Sequence, residues 1–319
     1  MADFPTTIDE FQEQFITEEA CLRYLEKIRW PDGFSCPNCG HAKYWKTKRG
    51  QLQCHKCRHQ CSLTAGTIFY DTRKPIRLWF EAIWHITNQK YGANALGLQR
   101  LFSFGSYNTA WQWLHRLRRA MVRPGREKLS GCIEIDETYI GGERSGKRGR
   151  GAEGKALVVI AVEDKSPIEK KGIGRIRLKN IPDASASSLI DFIVKNIEPG
   201  SIIRTDGWAG YQSLKSIGYE HIIEGSKDLR IAHLVISLLK RWLLGTYQGA
   251  VRECHLDYYL DEYTFRFNRR SSSSRGKLFY RLMQQAVVVN PVTIGQIIGS
   301  HQERDHGINT VTYNDSGAK

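Results

Sequence analysis

The sequence has no long hydrophobic run and no signal peptide at its start. Its longest apolar stretches, such as ALVVIAV and AVVV, are far shorter than the roughly 20 residues that span a bilayer. The first residues, MADFPTTIDEFQEQF, are acidic and lack a basic start followed by an apolar segment. We therefore expect a protein of the cytoplasm with no membrane contact.

Acidic residues are scarce between residues 40 and 130. This stretch has seventeen Lys or Arg residues against three acids, in a chain whose formal net charge is +14. A surface that only needs to stay soluble usually mixes charges of both signs. A dense positive field attracts polyanions, of which nucleic acid is the usual one. We favour nucleic acid as the partner over a solubilising surface.

The eight cysteines have no secretory context, which makes metal binding a better explanation than disulfides. Four of them form two CxxC pairs, CPNC and CHKC, fourteen residues apart. Two such turns can supply four thiolates to a tetrahedral Zn²⁺, although four ordinary buried thiols are the alternative. We predict a structural zinc ribbon over residues 33–66. Its ligands are Cys36, Cys39, Cys54 and Cys57.

Helical spacing of apolar residues predicts an N-terminal helical segment over residues 1–32 and further helices over residues 72–125. The last of these, YNTAWQWLHRLRRAM, follows a short Gly-containing turn and carries polar side chains on its predicted outer face. This pattern is typical of a helix-turn-helix with a recognition helix, although many helical pairs share it. The outer-face residues are Asn108, Gln112, His115, Arg116, Arg118 and Arg119, and the candidate DNA contacts among them are Asn108, Gln112, Arg116 and Arg119.

From residue 131 the pattern changes to strands and helices, which predicts a mixed α/β domain over residues 130–290. Between its first two strands lies GERSGKRGRGAEGK, with Arg148 and Arg150. This loop is either a solvated hairpin tip or a flexible loop that grips phosphate, and the sequence favours neither. We expect residues 291–319 to form a polar tail.

The segment CIEIDETYIGG concentrates acid in a very basic chain. Strand alternation places Glu134 and Asp136 on one face and two isoleucines on the other. A second acid, Asp206, stands at the end of the apolar strand in IIRTDG. If the two strands are neighbours, the carboxylates meet, and a hard divalent cation stabilises both in their charged form. Glu134 is a candidate to support Asp136.

A helix later in the chain, LRIAHLVISLLKRWLLG, places His233 and Lys240 on one polar stripe. A lone histidine on a helix is usually structural. One that shares a stripe with a lysine two turns away is a better candidate for a site that handles phosphate.

These segments resemble a known family. IEIDETYIGG, RTDGWAGY, the helix with His233, the later RFNRR and the cysteine ribbon are similar to bacterial insertion-sequence transposases of the ISXO type, relatives of the eukaryotic Merlin elements. The resemblance implies an RNase H-like catalytic core and a metal-binding triad of Asp136, Asp206 and His233, with Lys240 as the accompanying basic residue. Most of that superfamily has Glu as third ligand, and this group allows Asn or His. Leu238 stands where Asn is expected, and helical facing favours His233.

The function implied is a DNA transposase that binds the terminal repeats of its element and catalyses two-metal DNA cleavage and strand transfer with Mg²⁺ or Mn²⁺. The partners implied are double-stranded DNA at the element ends and the target, and further copies of the chain. A homodimer or higher synaptic oligomer at the bacterial nucleoid is expected. The alternatives are a catalytically inactive DNA-binding regulator and a nuclease without strand transfer.

Overall fold

The structure, a computed structural model, describes residues 4–123, 125–141, 155–166, 172–249 and 251–298. The chain forms two compact units. A helical unit combines Met1–Pro124 with Ser272–Lys319, and an α/β unit spans Gly125–Ser271. The sequence-based domain end at residue 290 therefore differs from the end of the α/β unit, because the helix after Ser271 belongs to the helical unit.

The helical unit holds seven α-helices and a small three-stranded sheet among its described residues. The helices are α1 (Ile8–Gln14), α2 (Glu18–Arg29), α3 (Ile76–Asn88), α4 (Ala95–Leu101), α5 (Tyr107–Ala120), α9 (Arg275–Val288) and α10 (Ile294–Ile298); the strands are β1 (Tyr44–Lys46), β2 (Leu52–Cys54) and β3 (Gln60–Cys61). The N-terminal helical segment expected over residues 1–32 contains two helices, α1 and α2. The break occurs because the Thr17 side chain accepts a hydrogen bond from the Ala20 N–H and starts a new helix.

An aromatic core explains why α9 joins the helical unit. The ring of Phe279 on α9 lies 5.5 to 5.9 Å from the rings of Phe11, Phe15, Phe80 and Trp84. Ring pairs at such distances add to the energy of apolar burial. The helix is therefore part of this core, although more than 150 residues of sequence separate it from α5.

The C-terminal segment begins with structure that the sequence did not indicate. The short helix α10 buries Ile297 within what was expected to be a polar tail. Within the residues that the structure describes, no helix is both long and apolar enough to cross a membrane.

The α/β unit is built on a five-stranded sheet with the strand order β6-β5-β4-β7-β8. β4, β5 and β6 form an antiparallel meander, and β7 and β8 run parallel to β4. This is the RNase H-like arrangement, so the predicted fold class is confirmed. The strands are β4 (Cys132–Ile140), β5 (Ala156–Asp164), β6 (Ile173–Ile181), β7 (Ile202–Thr205) and β8 (Glu220–Ile223).

Helices cover both faces of this sheet. One face packs against α7 (Arg230–Tyr247) and α8 (Leu256–Phe267), and the other against α6 (Ala186–Asn196) and a 3₁₀-helix (Ala209–Ile217). The inner strand β5, which lies between β6 and β4, is buried along its whole length, as expected for a strand between two helical layers. Ile133 and Ile135 of β4 pack on the α6 side. Strand alternation therefore turns Glu134 and Asp136 toward α7.

Candidate functional site

Two turns with the same hydrogen-bonding pattern carry the ribbon cysteines. In each, the N–H of the first cysteine donates to the carbonyl five residues later, at 3.1 Å for Cys36 and 2.9 Å for Cys54. The N–H four residues on donates back to that cysteine's carbonyl, at 2.9 and 3.1 Å. This fourth position has a positive φ in both turns, +70° at Gly40 and +61° at Arg58. The CxxC motif thus folds twice into one local shape.

The four cysteine sulfurs form a metal-ligand cluster. Its members are Cys36, Cys39, Cys54 and Cys57, whose sulfurs all lie within 4.8 Å of one another. Two pairs across the turns are 3.6 Å apart. Thiolates bound tetrahedrally to Zn²⁺ at about 2.3 Å are about 3.8 Å apart, so the cluster fits zinc. Hydrogen bonds from the His59 backbone N–H and the Asn38 side chain lower the pKa of Cys57 to about 6. The His41 backbone lowers the pKa of Cys39, but the hydrogen bonds with the other cluster cysteines outweigh this and raise it.

The two aspartates lie on neighbouring strands of the large sheet. β4 and β7 pair in parallel, with Ile133 opposite Ile203 and Glu134 opposite Arg204. Asp136 and Asp206 each come two residues after the last pair of this register, Glu134 and Arg204. Asp206 follows the last residue of β7, where the strand gives way to the turn before the 3₁₀-helix. The sheet therefore carries both carboxylates at the same end of adjacent strands.

Helix α7 places a histidine against the first of these aspartates. His233 Nε2 lies 3.2 Å from Asp136 Oδ2, and the His233 side chain is 43% exposed. Two cis ligands of an octahedral cation at 2.0–2.1 Å are about 3 Å apart, so these two atoms fit one divalent cation. Burial lowers the pKa of Lys240, the Asp136 charge raises it and Lys155 lowers it. Lys240 is thus within electrostatic reach of Asp136.

Asp206 does not form a compact three-ligand cluster with Asp136 and His233. Within the described residues, the cysteine cluster alone has three or more potential ligand atoms within 4.8 Å of one another. The buried Tyr211 hydroxyl donates to Glu137 Oε1 at 2.5 Å. Burial first, and then the charges of Glu137, Asp136 and Asp206, raise the pKa of Tyr211. Glu137 therefore contacts this phenol directly, and Asp136 and Asp206 lie within electrostatic range of it.

A network of charged side chains surrounds Glu134 and Arg204, each of which comes two residues before one of the two aspartates. Glu134 is 2% exposed, and its Oε1 lies 3.4 Å from Arg204 Nη1. Arg204 also contacts Asp164 at 3.0 Å and binds both carboxylate oxygens of Glu224 at 2.6 Å. The sequence reasoning missed Arg204. Its position two residues before Asp206, on the same face of β7, is the signal that could have indicated it.

The proposed recognition helix α5 differs in part from its sequence-based interpretation. Asn108 is exposed and Gln112 is partly exposed, as expected. The Arg116 guanidinium donates to the Tyr70 carbonyl at 3.0 Å. The prediction that Arg119 points outward is wrong, because this side chain is only 8% exposed. His115 and Arg118 are also buried rather than outward-facing. The helix packs against three other helices, α4, α9 and α10. These helices cover part of the surface that the sequence pattern assigns to a solvent-exposed outer face. The other two candidate contacts, Arg148 and Arg150, lie outside the described residues.

Two family models match the chain, and both describe transposase domains. The family model described as an ISXO2-like transposase domain matches residues 128–268, and the one described as a transposase zinc-ribbon domain matches residues 16–60. No curated protein matches the chain. Among solved structures, a similar chain occurs in the cryoEM structure of the simian T-cell lymphotropic virus intasome in complex with PP2A regulatory subunit B56 gamma. The identity is 14% and the TM-score 0.28, over 59% of this chain and 64% of that one.

The cysteine ribbon lies within the match to the transposase zinc-ribbon model, and the α/β unit holds the match to the transposase domain, so the class of protein is a transposase. The two matched domains together cover more than half of the sequence. The chain belongs to the ISXO2-like insertion-sequence transposases of the IS1595 family.

Proposed function

We propose that this chain binds the terminal repeats of its own insertion sequence, cuts the DNA there and joins the freed ends to a target. The residues that carry out this phosphoryl transfer are Asp136, Asp206 and His233, which hold Mg²⁺ or Mn²⁺, together with Lys240. The observation that supports this assignment best is the 3.2 Å approach of His233 Nε2 to Asp136 Oδ2. It occurs next to the strand that leads to Asp206.

The donor set fits divalent cations of the hard to borderline class. Such cations, when bound, polarise a phosphoryl oxygen and favour the deprotonated form of an attacking water or DNA 3′-hydroxyl. Asp136 supplies an oxygen from the rigid centre of the sheet, and His233 supplies a nitrogen from the first turn of α7. Imidazole nitrogen suits Mn²⁺ better than Mg²⁺, which prefers oxygen.

Lys240 stands two turns after His233 on the same helix. Its ammonium is within electrostatic reach of the Asp136 carboxylate. A cation in this position suits a backbone phosphate that enters the site, and it holds that phosphate without taking part in proton transfer.

DNA binding is assigned to the basic helical unit. The candidate contacts that stay accessible on α5 are Asn108 and Gln112. Arg116 already uses one guanidinium nitrogen in its hydrogen bond to the Tyr70 carbonyl. Two DNA ends need two active sites, so we propose a homodimer or a higher synaptic oligomer that acts at the bacterial nucleoid. The regulator without catalysis remains the second candidate, favoured by the histidine in place of an acid.

The test is cleavage and joining of DNA that carries the element's own ends, in Mg²⁺ and in Mn²⁺. Wild type is compared with Asp136→Asn, His233→Ala and the control Asp191→Asn. The Asp191 side chain is 47% exposed and pairs with Lys195 on α6. We expect joined product with wild type and the control, and none with the two site variants. Tight end binding by wild type with no cleavage in either metal would identify a DNA-binding regulator.

A further inference from the structure

Helix α7 begins without a cap of its own. Its N-cap residue is Leu229, whose side chain makes no capping hydrogen bond, and its first turn has no acidic residue. The first N–H groups of a helix need partners from elsewhere, because no preceding turn can accept from them. A helix that carries a catalytic histidine in its first turn depends on how those N–H groups are held.

The missing cap comes from the sheet. Glu134 Oε2 accepts hydrogen bonds from the N–H groups of Ile231 at 2.9 Å and Ala232 at 2.8 Å. A carboxylate at this point also interacts favourably with the positive end of the helix dipole. The next residue along α7 is His233, whose own N–H donates within the helix to the Leu229 carbonyl at 3.1 Å.

Glu134 is itself held in place. Its side chain is 2% exposed, and its second oxygen lies 3.4 Å from Arg204, which is anchored to Glu224 and Asp164. The Glu134 carboxylate is therefore fixed to the sheet by Arg204, and a shift of α7 would break its hydrogen bonds to the helix N–H groups. Burial of a charged group without such partners would be costly, so the arrangement is stable only when all contacts are made together.

One face of β4 thus contacts the first turn of α7 twice. Glu134 holds the backbone at Ile231 and Ala232, and Asp136, two residues further along the strand, meets the His233 side chain. We propose that Glu134 is a positioning residue that fixes the first turn of α7, so that His233 Nε2 stays at ligand distance from Asp136. The proposal rests on the proposed function, which makes His233 a metal ligand.

The test measures Mn²⁺ binding to the zinc-loaded full chain, with free Mn²⁺ followed by electron paramagnetic resonance. The variants are Glu134→Ala, His233→Ala and the double variant. Removal of a residue that supports a metal ligand typically costs about 10- to 100-fold in affinity. We expect Glu134→Ala to weaken Mn²⁺ binding about tenfold or more, and the double variant to bind no more weakly than His233→Ala alone. Losses that multiply in the double variant would overturn the proposal.

Two controls separate positioning from general destabilisation. Glu163→Ala removes another buried carboxylate of the same unit, which binds Arg175 and the Ser130 N–H. Glu18→Ala removes the same kind of cap from α3, where Glu18 accepts from the first two N–H groups. Both are expected to bind Mn²⁺ as wild type does. Equal weakening by Glu163→Ala would show that Glu134 acts only through stability, against the proposal.

The conservative variant Glu134→Gln keeps an acceptor oxygen for the two N–H groups and carries the test if Glu134→Ala does not fold. We expect its Mn²⁺ affinity to lie between wild type and His233→Ala, with faster amide hydrogen exchange at residues 231–233 and unchanged exchange in α8. Wild-type affinity and exchange in Glu134→Gln and Glu134→Ala would refute the positioning role. If His233→Ala itself binds Mn²⁺ as wild type does, the ligand assignment of the proposed function fails instead.

Discussion

The zinc ribbon is expected to have no folded state without its metal. Its strands have only three residues, three residues and two residues, and they pair through one ladder of three residue pairs and one of two. Apparent zinc binding to small Cys/His modules is about 10–16 kcal/mol, and that free energy is the folding free energy of the module. It is comparable to the roughly 5–15 kcal/mol that stabilises a whole domain. A ladder this small cannot replace it.

The matched perturbations are Cys54→Ser and Cys61→Ser. Cys54 belongs to the metal cluster, whereas Cys61 is buried in β3 outside it, and burial raises the pKa of the Cys61 thiol away from the metal-binding form. We expect Cys61→Ser to retain one zinc per chain and protected amides over residues 36–61. Cys54→Ser should lose the zinc and that protection, while amides of α3 and α9 stay protected because the aromatic core holds them.

Zinc content by mass spectrometry and amide hydrogen exchange are the assays. A Cys54→Ser chain that keeps one zinc and a protected ribbon would contradict the assignment of the four cysteines. So would loss of exchange protection throughout the helical unit, because it would make the metal a requirement of the whole unit.

Three further predictions concern stability, each measured by urea denaturation. Glu18→Ala removes two hydrogen bonds at the start of α3 and should cost about 1–2 kcal/mol; no change would show that the cap is dispensable. Tyr211→Phe removes the hydrogen bond to the Glu137 carboxylate and should cost about 1.5–3 kcal/mol, whereas a stabilised variant would contradict that bond. Burial raises the pKa of Glu163, but the bonds from Arg175 outweigh this and the net shift is downward, so its stabilisation is present above its ordinary pKa and lost as pH falls. Glu163→Gln should therefore be less stable than wild type at pH 7, and it should lose less stability than wild type does as the pH falls below about 5. Parallel pH profiles of the two proteins would refute this.

The fold could be predicted in outline because its signals are local. The alternation in CIEIDET set the two faces of β4, and the CxxC pairs specified the ribbon. The order of the strands was available only through the resemblance, since the sequence does not state which strands pair. The return of α9 to the helical unit depends on contacts of Phe279 with rings about 200 residues or more before it, and no local pattern reports such contacts.

The parts of the site that the sequence left open are also long-range. Glu134 caps a helix 97 residues away and Glu18 caps one 58 residues away, and neither carboxylate has a recognisable capping motif next to it. The buried arginines of α5 show the opposite limit. Helical spacing placed Arg118 and Arg119 on an outer face, and the packing of several helices around α5 overrode that local pattern.

The measurement that tests the central claim most directly is the metal preference of strand joining by wild type and by His233→Glu. The reaction is run at equal concentrations of Mn²⁺ and Mg²⁺. If His233 is a ligand, wild type works at least as well with Mn²⁺, because imidazole nitrogen suits that ion, and an oxygen ligand in its place shifts the ratio toward Mg²⁺. The same Mn²⁺ to Mg²⁺ ratio in both proteins would contradict the assignment of His233.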